Sequence, residues 1–161
     1  MAVYVIVGLV VLAGLVLAYR SLGRPAAVTI ESAAVLRSTL TATERAASDL
    51  AELARAAPMI GADAGSEAGT AKALRRRLTG LSQQLELVDP HELDESDESA
   101  HALLEVSIDE LSSAAGMCAT DAYASSDGMR TAVSALLEHA GRCLHDAATL
   151  VASAEEVERA P

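Results

Sequence analysis

The sequence predicts an all-α protein in which a single N-terminal transmembrane helix is followed by an antiparallel four-helix bundle. Three observations support this fold class. Residues 2–19 form an uncharged apolar run, AVYVIVGLVVLAGLVLAY. The rest of the chain holds four segments whose apolar residues recur at spacings of three and four, the periodicity of amphipathic helices. No useful length of chain alternates apolar and polar residues with period two, so we expect no β-strand.

The apolar run is long enough to cross a lipid bilayer. At about 1.5 Å of rise per residue it spans roughly 27 Å, close to the hydrocarbon thickness of about 30 Å. Tyr4 and Tyr19 lie near its two ends, where aromatic rings favour the membrane interface. The run is too long for a cleaved signal peptide and lacks a basic segment before it. We therefore expect residues 2–19 to contact the lipid bilayer, with residues 1–24 forming the anchor and its juxtamembrane joint.

The basic residues that flank the anchor predict its orientation. Arg20 and Arg24 follow it directly, whereas only the terminal amine precedes it. Because positively charged flanks stay on the cytoplasmic side, this asymmetry places the N-terminus outside and the C-terminal domain in the cytoplasm of a single-pass protein in the cell membrane.

Residues 25–161 are expected to form one helical bundle domain. Its first helix covers about residues 26–57, since Pro25 suits a first helical turn and Pro58 ends the pattern. Three glycines then predict a flexible loop over residues 58–69.

Three further helices follow, over about residues 70–88, 97–125 and 129–159, with Asp127 and Gly128 expected to turn the chain before the last one. The heptad spacing favours coiled-coil-like crossing of antiparallel neighbours. In the helix over residues 70–88 the expected core positions are Ala71, Leu74, Leu78, Leu81, Leu85 and Val88.

The composition is strongly acidic. The chain holds 23 Asp and Glu against 12 Lys and Arg, a net charge of -11, which argues against nucleic-acid binding and against lying on an anionic lipid surface. One lysine, no Phe, no Trp and abundant Ala and Val resemble the composition of proteins from extreme halophiles and, less closely, of those from high-GC actinobacteria. An alanine-rich core buries little apolar area, so we expect a protein partner, self-association or high salt to complete its stability.

Two groups of residues have spacings that metal sites use. Glu98 and His101 form one E-x-x-H pair, but a di-iron bundle needs two such pairs and further glutamates. His139 and Cys143 share a helix face without enough neighbouring ligands for zinc. Cys143 and Cys118 are expected to be free, buried thiols. We therefore predict no catalytic, cofactor or metal site.

The most unusual charged feature is a basic cluster, Lys72, Arg75, Arg76 and Arg77. In a helix that begins near residue 70 these cations oppose the helix dipole, so local stability does not explain them. The functional interpretation is a surface for an acidic protein partner or a second copy of the chain, and the alternative is a solvated face.

These observations favour a non-enzymatic, membrane-anchored helical scaffold or adaptor that acts through protein–protein contacts, in cell-envelope, division or secretion machinery. The alternative is a sensory or ligand-binding helical bundle whose body lies outside the cell. An outside body reverses the expected topology, so the side of the membrane discriminates between the two classes.

Overall fold

The computed structural model describes residues 26–56 and 64–159, and gives side-chain surroundings for residues 32–56 and 68–154. The chain divides into two compact units, residues 1–31 and residues 32–161, and the packing below is that of the second unit. The expected anchor, residues 2–19, lies outside the described residues. Among the described helices, none is both long and apolar enough to cross a membrane.

Four α-helices make up the described chain: α1 Ala26–Ala56, α2 Ala64–Leu85, α3 Glu95–Cys118 and α4 Asp127–Arg159. A short 3₁₀ turn, Pro90–Glu92, lies between α2 and α3. No strand occurs in the described part of the chain. The prediction of an all-α four-helix bundle is therefore confirmed.

The core consists of leucine, isoleucine, valine and alanine side chains that the helices direct inward. All six core positions predicted for the helix over residues 70–88 are buried, since a leucine stripe at heptad spacing faces its neighbours on every turn. Five of them lie in α2, which ends at Leu85 and not at residue 88 as expected, and the sixth, Val88, lies in the connection that follows. The largest apolar side chains with under 2 % exposure are Leu36, Leu50, Leu78, Leu104, Ile108, Leu111 and Val133. One aromatic side chain joins them, that of Tyr123, in the connection between α3 and α4.

α3 packs against both α2 and α4. On the α2 side the end of one helix meets the start of the other, because the His101 ring contacts the carbonyl of Leu85. On the α4 side, the Ser107 hydroxyl donates to the carbonyl of Ala140 over 3.4 Å, and Glu110 lies 2.6 Å from His139. Further along α3, Gly116 lies beside Arg75 of α2. Rising residue numbers on α3 therefore meet falling numbers on both neighbours, and both pairs are antiparallel.

The acidic residues between α2 and α3 serve the start of α3. The Asp94 side chain accepts a hydrogen bond from the backbone N–H of Asp97 over 2.8 Å and caps the helix. Glu95, Asp97 and Glu98 then lie in its first turn, where negative charge is stabilised by the helix dipole. Asp89 caps the preceding 3₁₀ turn in the same way, accepting from the N–H of His91.

α2 begins earlier than expected, within the loop predicted over residues 58–69. α2 begins at Ala64, so Gly65 and Gly69 are helical residues, while residues 57–63 lie outside the described part. A glycine inside a helix costs only about 1 kcal/mol relative to alanine, which the packing of the following leucine stripe can offset.

The α3–α4 connection also differs from expectation. α3 was expected to reach residue 125 but ends at Cys118, where the Thr120 hydroxyl donates to the carbonyl of Met117 over 2.7 Å. Asp127 begins α4 and does not turn the chain, because the Ser126 hydroxyl accepts from the N–H of Met129 and caps the helix. The turn therefore occupies residues 119–126.

Candidate functional site

The basic cluster lies in the interior of α2. Lys72, Arg75, Arg76 and Arg77 are all exposed. Because α2 begins at Ala64, the cluster starts about two turns into the helix, beyond the first turn in which the helix dipole acts strongly. The expectation that these cations oppose the dipole is therefore wrong, and they need not reduce the stability of the helix.

Arg77 differs from the other three cations because it forms an ion pair within the bundle. Its Nη1 lies 3.4 Å from Oδ2 of Asp49 on α1, with both side chains about half exposed. Exposed pairs of this kind contribute about 0.2–1 kcal/mol. Arg77 thus has a structural role between α1 and α2, and we leave it out of the candidate surface.

Arg75 lies against the last turn of α3. A Cβ built on Gly116 would be 3.7 Å from the guanidinium carbon and Nη1 of Arg75, an ordinary van der Waals distance, so the guanidinium lies beside Gly116. The C-terminal turn of α3 carries the negative end of its helix dipole, which a nearby cation stabilises. Part of the charge of Arg75 is therefore balanced inside the fold.

Lys72 and Arg76 are left without such contacts. They are four residues apart and share one face of α2, and neither side chain has an ion-pair partner in the described part of the chain. We call Lys72, Arg75 and Arg76 the basic surface. It is the part of the predicted cluster that the structure presents to solvent as one patch.

Charge is unevenly distributed between α2 and the segment that follows it. The middle of α2 carries the four cations of the cluster, whereas residues 86–105 hold eight Asp and Glu and no Lys or Arg. The electrostatic potentials of nearby charges of one sign add. The region where α2 meets α3 therefore has a strongly negative potential. A ligand for one region is thus repelled by the other.

The residues considered as metal ligands are dispersed. Glu98 is exposed, while the buried His101 donates from Nε2 to the carbonyl of Leu85 over 3.3 Å. His139 donates from Nδ1 to Glu110. In the part of the chain that the structure describes, no three His, Cys, Asp or Glu side chains come together in a way that could hold a metal ion.

Both cysteines are free and buried. Burial raises the pKa of the Cys118 thiol and of the Cys143 thiol above the ordinary value, and for Cys143 the carboxylates of Glu110 and Asp146 raise it further. Raised pKa values keep both thiols protonated and poorly nucleophilic at neutral pH. Neither cysteine has the surroundings of a catalytic thiol.

Tyr123 was missed by sequence reasoning. Its ring is 3 % exposed, and its hydroxyl donates to the carbonyl of Ala54 in the last turn of α1 over 3.2 Å. It joins α1 to the α3–α4 connection. Burial, followed by the neighbouring Cys118, raises the pKa of Tyr123 to about 12. The available signal in the sequence was that Tyr123 is the one Tyr, Phe or Trp in residues 25–161.

A cavity of about 270 Å³ lies where α2, the 3₁₀ turn and α3 meet. The residues that line it are Ser82, Leu85, Glu86, Val88, Pro90, His101, Glu105 and Ile108. Sequence reasoning did not identify it, because it depends on the register between α2 and α3. The side chain that links its two helices is His101.

Comparison with known proteins identifies no relative of this chain. No protein-family model matches it, and neither a curated protein nor a solved structure resembles it.

Proposed function

We propose that this protein is a non-enzymatic adaptor, a helical bundle that residues 2–19 anchor in the membrane and that binds an acidic protein through its basic surface. The observation that carries the proposal is the pair Lys72 and Arg76, two exposed cations one turn apart without ion-pair partners in the described part of the chain. In a chain with a net charge of -11, a face that served only solubility would be expected to carry acidic residues. Carboxylates of a partner would supply the counter-charges.

The flanking arginines support a cytoplasmic body. Arg20 and Arg24 lie directly after the apolar run, and basic flanks stay inside. The partner is then a cytoplasmic or membrane-associated protein with an acidic segment. A second copy of the chain is one such protein, since its residues 86–105 are rich in carboxylates.

Charge reversal tests the adaptor function. The double variant Lys72→Glu and Arg76→Glu changes the net charge by the same amount as Arg45→Glu and Arg55→Glu, two exposed arginines of α1. Each protein is expressed at full length, crosslinked in cells, purified and compared by circular dichroism and by its crosslinked partners. We expect unchanged helicity in both variants and loss of the partner only in the α2 variant.

Two results would contradict this function. One is recovery of the same partners in the same yield from the α2 variant and the native protein. The other is an equal loss in both variants, which would indicate a general effect of net charge on association.

A ligand-binding bundle with its body outside the cell is the second candidate. The observation that favours it is the cavity between α2 and α3, since ligand sites in bundles lie between helices. A C-terminal fusion to alkaline phosphatase, which is active only outside the cytoplasm, separates the two functions. Activity of the fusion would favour the ligand-binding bundle and would contradict the cytoplasmic adaptor.

A further inference from the structure

The cavity between α2 and α3 has an apolar interior and a negative rim. Leu85, Val88, Pro90 and Ile108 supply the apolar wall, and all except Pro90 are buried. Glu86 and Glu105 line the same cavity, one from the residue after α2 and one from α3, and both are exposed. An apolar wall beside two carboxylates suits a molecule with an apolar part and a positive charge.

The walls of the cavity are fixed by hydrogen bonds. His101, 8 % exposed, donates to the carbonyl of Leu85, the last residue of α2. The 3₁₀ turn that contributes Pro90 is capped by Asp89. The space is therefore formed without a ligand, which reduces the entropy that binding would lose.

No cation of the described chain neutralises the rim. Neither Glu86 nor Glu105 forms an ion pair in the described part, and no Lys or Arg lines the cavity. The sequence contains no Lys or Arg between Arg77 and Arg130. An anionic ligand would be repelled at this site, and a cation would be attracted.

The chemistry of the lining separates an organic cation from a metal ion. The described residues include no group of three metal-ligating side chains, so Glu86, His101 and Glu105 do not converge on one point. The apolar wall would leave a hydrated ion without ligands on that side. It would, however, contact a hydrocarbon group well.

We infer that this cavity binds a small organic ammonium ion whose hydrocarbon part fills the apolar wall and whose charge faces Glu86 and Glu105. The volume of about 270 Å³ corresponds to about nine water molecules at roughly 30 Å³ each, so the ligand has about that number of non-hydrogen atoms. The site is separate from the basic surface. An organic ammonium ion is thus the ligand class for the second candidate function. Its binding can be tested whichever side of the membrane the body lies on.

Three probes with one hydrocarbon frame and different charges test the inference. They are cyclohexylmethylammonium, the neutral cyclohexylmethanol and the anion cyclohexanecarboxylate. Each is titrated at fixed pH into the full-length protein in nonionic detergent, with histidine ring resonances followed by NMR. His101 reports on the cavity, and the exposed His145 on α4 is the reference. We expect saturable shifts at His101 with the cation, affinity at least about tenfold weaker for the alcohol, and no saturation with the anion.

Variants locate the binding. Glu86→Gln and Glu105→Gln should each weaken binding of the cation about two- to fivefold, and the double variant about tenfold, as expected for exposed charge pairs. Glu44→Gln, an exposed glutamate of α1, is the matched control and should leave the affinity unchanged. Because the detergent takes up the same share of probe in each sample, ratios between proteins are unaffected. Ser82→Leu fills the cavity and should abolish the shifts.

Several results would overturn the inference. Equal affinity for the cation and the alcohol would show that the carboxylates do not select the ligand. Absence of saturation with all three probes, or equal weakening by Glu44→Gln and Glu86→Gln, would show that the cavity is not a site for organic cations. Ser82→Leu is judged only if its helicity and the His145 resonance match those of the native protein, and otherwise the glutamate variants decide.

Discussion

Replacing Tyr123 with phenylalanine removes one hydroxyl group and leaves the buried ring in place. The hydroxyl donates to the carbonyl of Ala54, which lies in the last turn of α1 where carbonyls have no partner within the helix. Losing this hydrogen bond should lower the free energy of unfolding by about 1 kcal/mol. For a chain of this size that corresponds to a Tm lower by about 2–4 °C.

The pH dependence of the same variant gives a sharper test. Burial, with a further contribution from Cys118, raises the pKa of Tyr123 from 10.0 to about 12 in the folded protein. As the pH rises the unfolded chain therefore loses the phenol proton first, so stability present below about pH 10 is progressively lost toward about pH 12. At about pH 11 this loss amounts to about 1.4 kcal/mol, and the phenylalanine variant does not incur it. The stability curves of the two proteins should cross near about pH 11.

Urea denaturation of both full-length proteins in nonionic detergent, followed by circular dichroism at neutral pH and at high pH, measures the effect. Tyr4, Tyr19 and Cys143 are present and unchanged in both proteins, so the difference between the curves reports on Tyr123 together with Cys118, whose pKa is raised by burial and lowered in part by its hydrogen bond with Tyr123. An unchanged free energy of unfolding at neutral pH would refute the contact with Ala54. A gap between the proteins that stays constant with pH would refute the raised pKa of Tyr123.

Three further predictions concern the stability of the bundle. Thr39→Val should raise the free energy of unfolding by about 1 kcal/mol, because the buried Thr39 hydroxyl has no hydrogen-bond partner in the described structure. A lower free energy of unfolding on urea denaturation would contradict this. Leu104→Ala should lower the free energy of unfolding by about 2–5 kcal/mol, whereas the control Leu87→Ala, at a side chain 85 % exposed, should change it by less than about 0.5 kcal/mol. Molar sodium chloride should raise the Tm by screening the repulsion within a chain of net charge -11, and a Tm unchanged by salt would contradict the expected salt dependence.

The sequence predicts the buried positions of residues 71–88 well. A stripe of leucines at heptad spacing has one helical interpretation, and the six positions from Ala71 to Val88 that it marks are all buried. The alanine-rich first helix is predicted less sharply. Ala46 is fully buried and Ala47 is only partly buried, although two adjacent alanines in the sequence carry no signal for which of them faces the core.

Helix ends and contacts between helices were not predictable in the same way. The start of α2 was hidden by Gly65 and Gly69, whose usual preference for loops is overridden by packing further along the helix. The Asp127-Gly128 pair resembles a turn, but Ser126 caps a helix there. The spacing of Glu98 and His101 suggested a shared ligand, whereas the partner of His101 lies sixteen residues earlier at Leu85, a contact that only the register between two helices determines.

Site-specific photo-crosslinking in living cells tests the central claim, that the basic surface of α2 contacts an acidic protein. In the full-length protein a photoreactive amino acid replaces the exposed Ala73, which is next to Lys72 and one turn before Arg76, and in a control replaces the exposed Ala135 of α4. The adaptor function predicts a defined adduct with an acidic protein or a second copy from position 73, absent from position 135 and lost when Lys72 and Arg76 are also changed to glutamate. Identical adducts from both positions, or none from position 73, would contradict it.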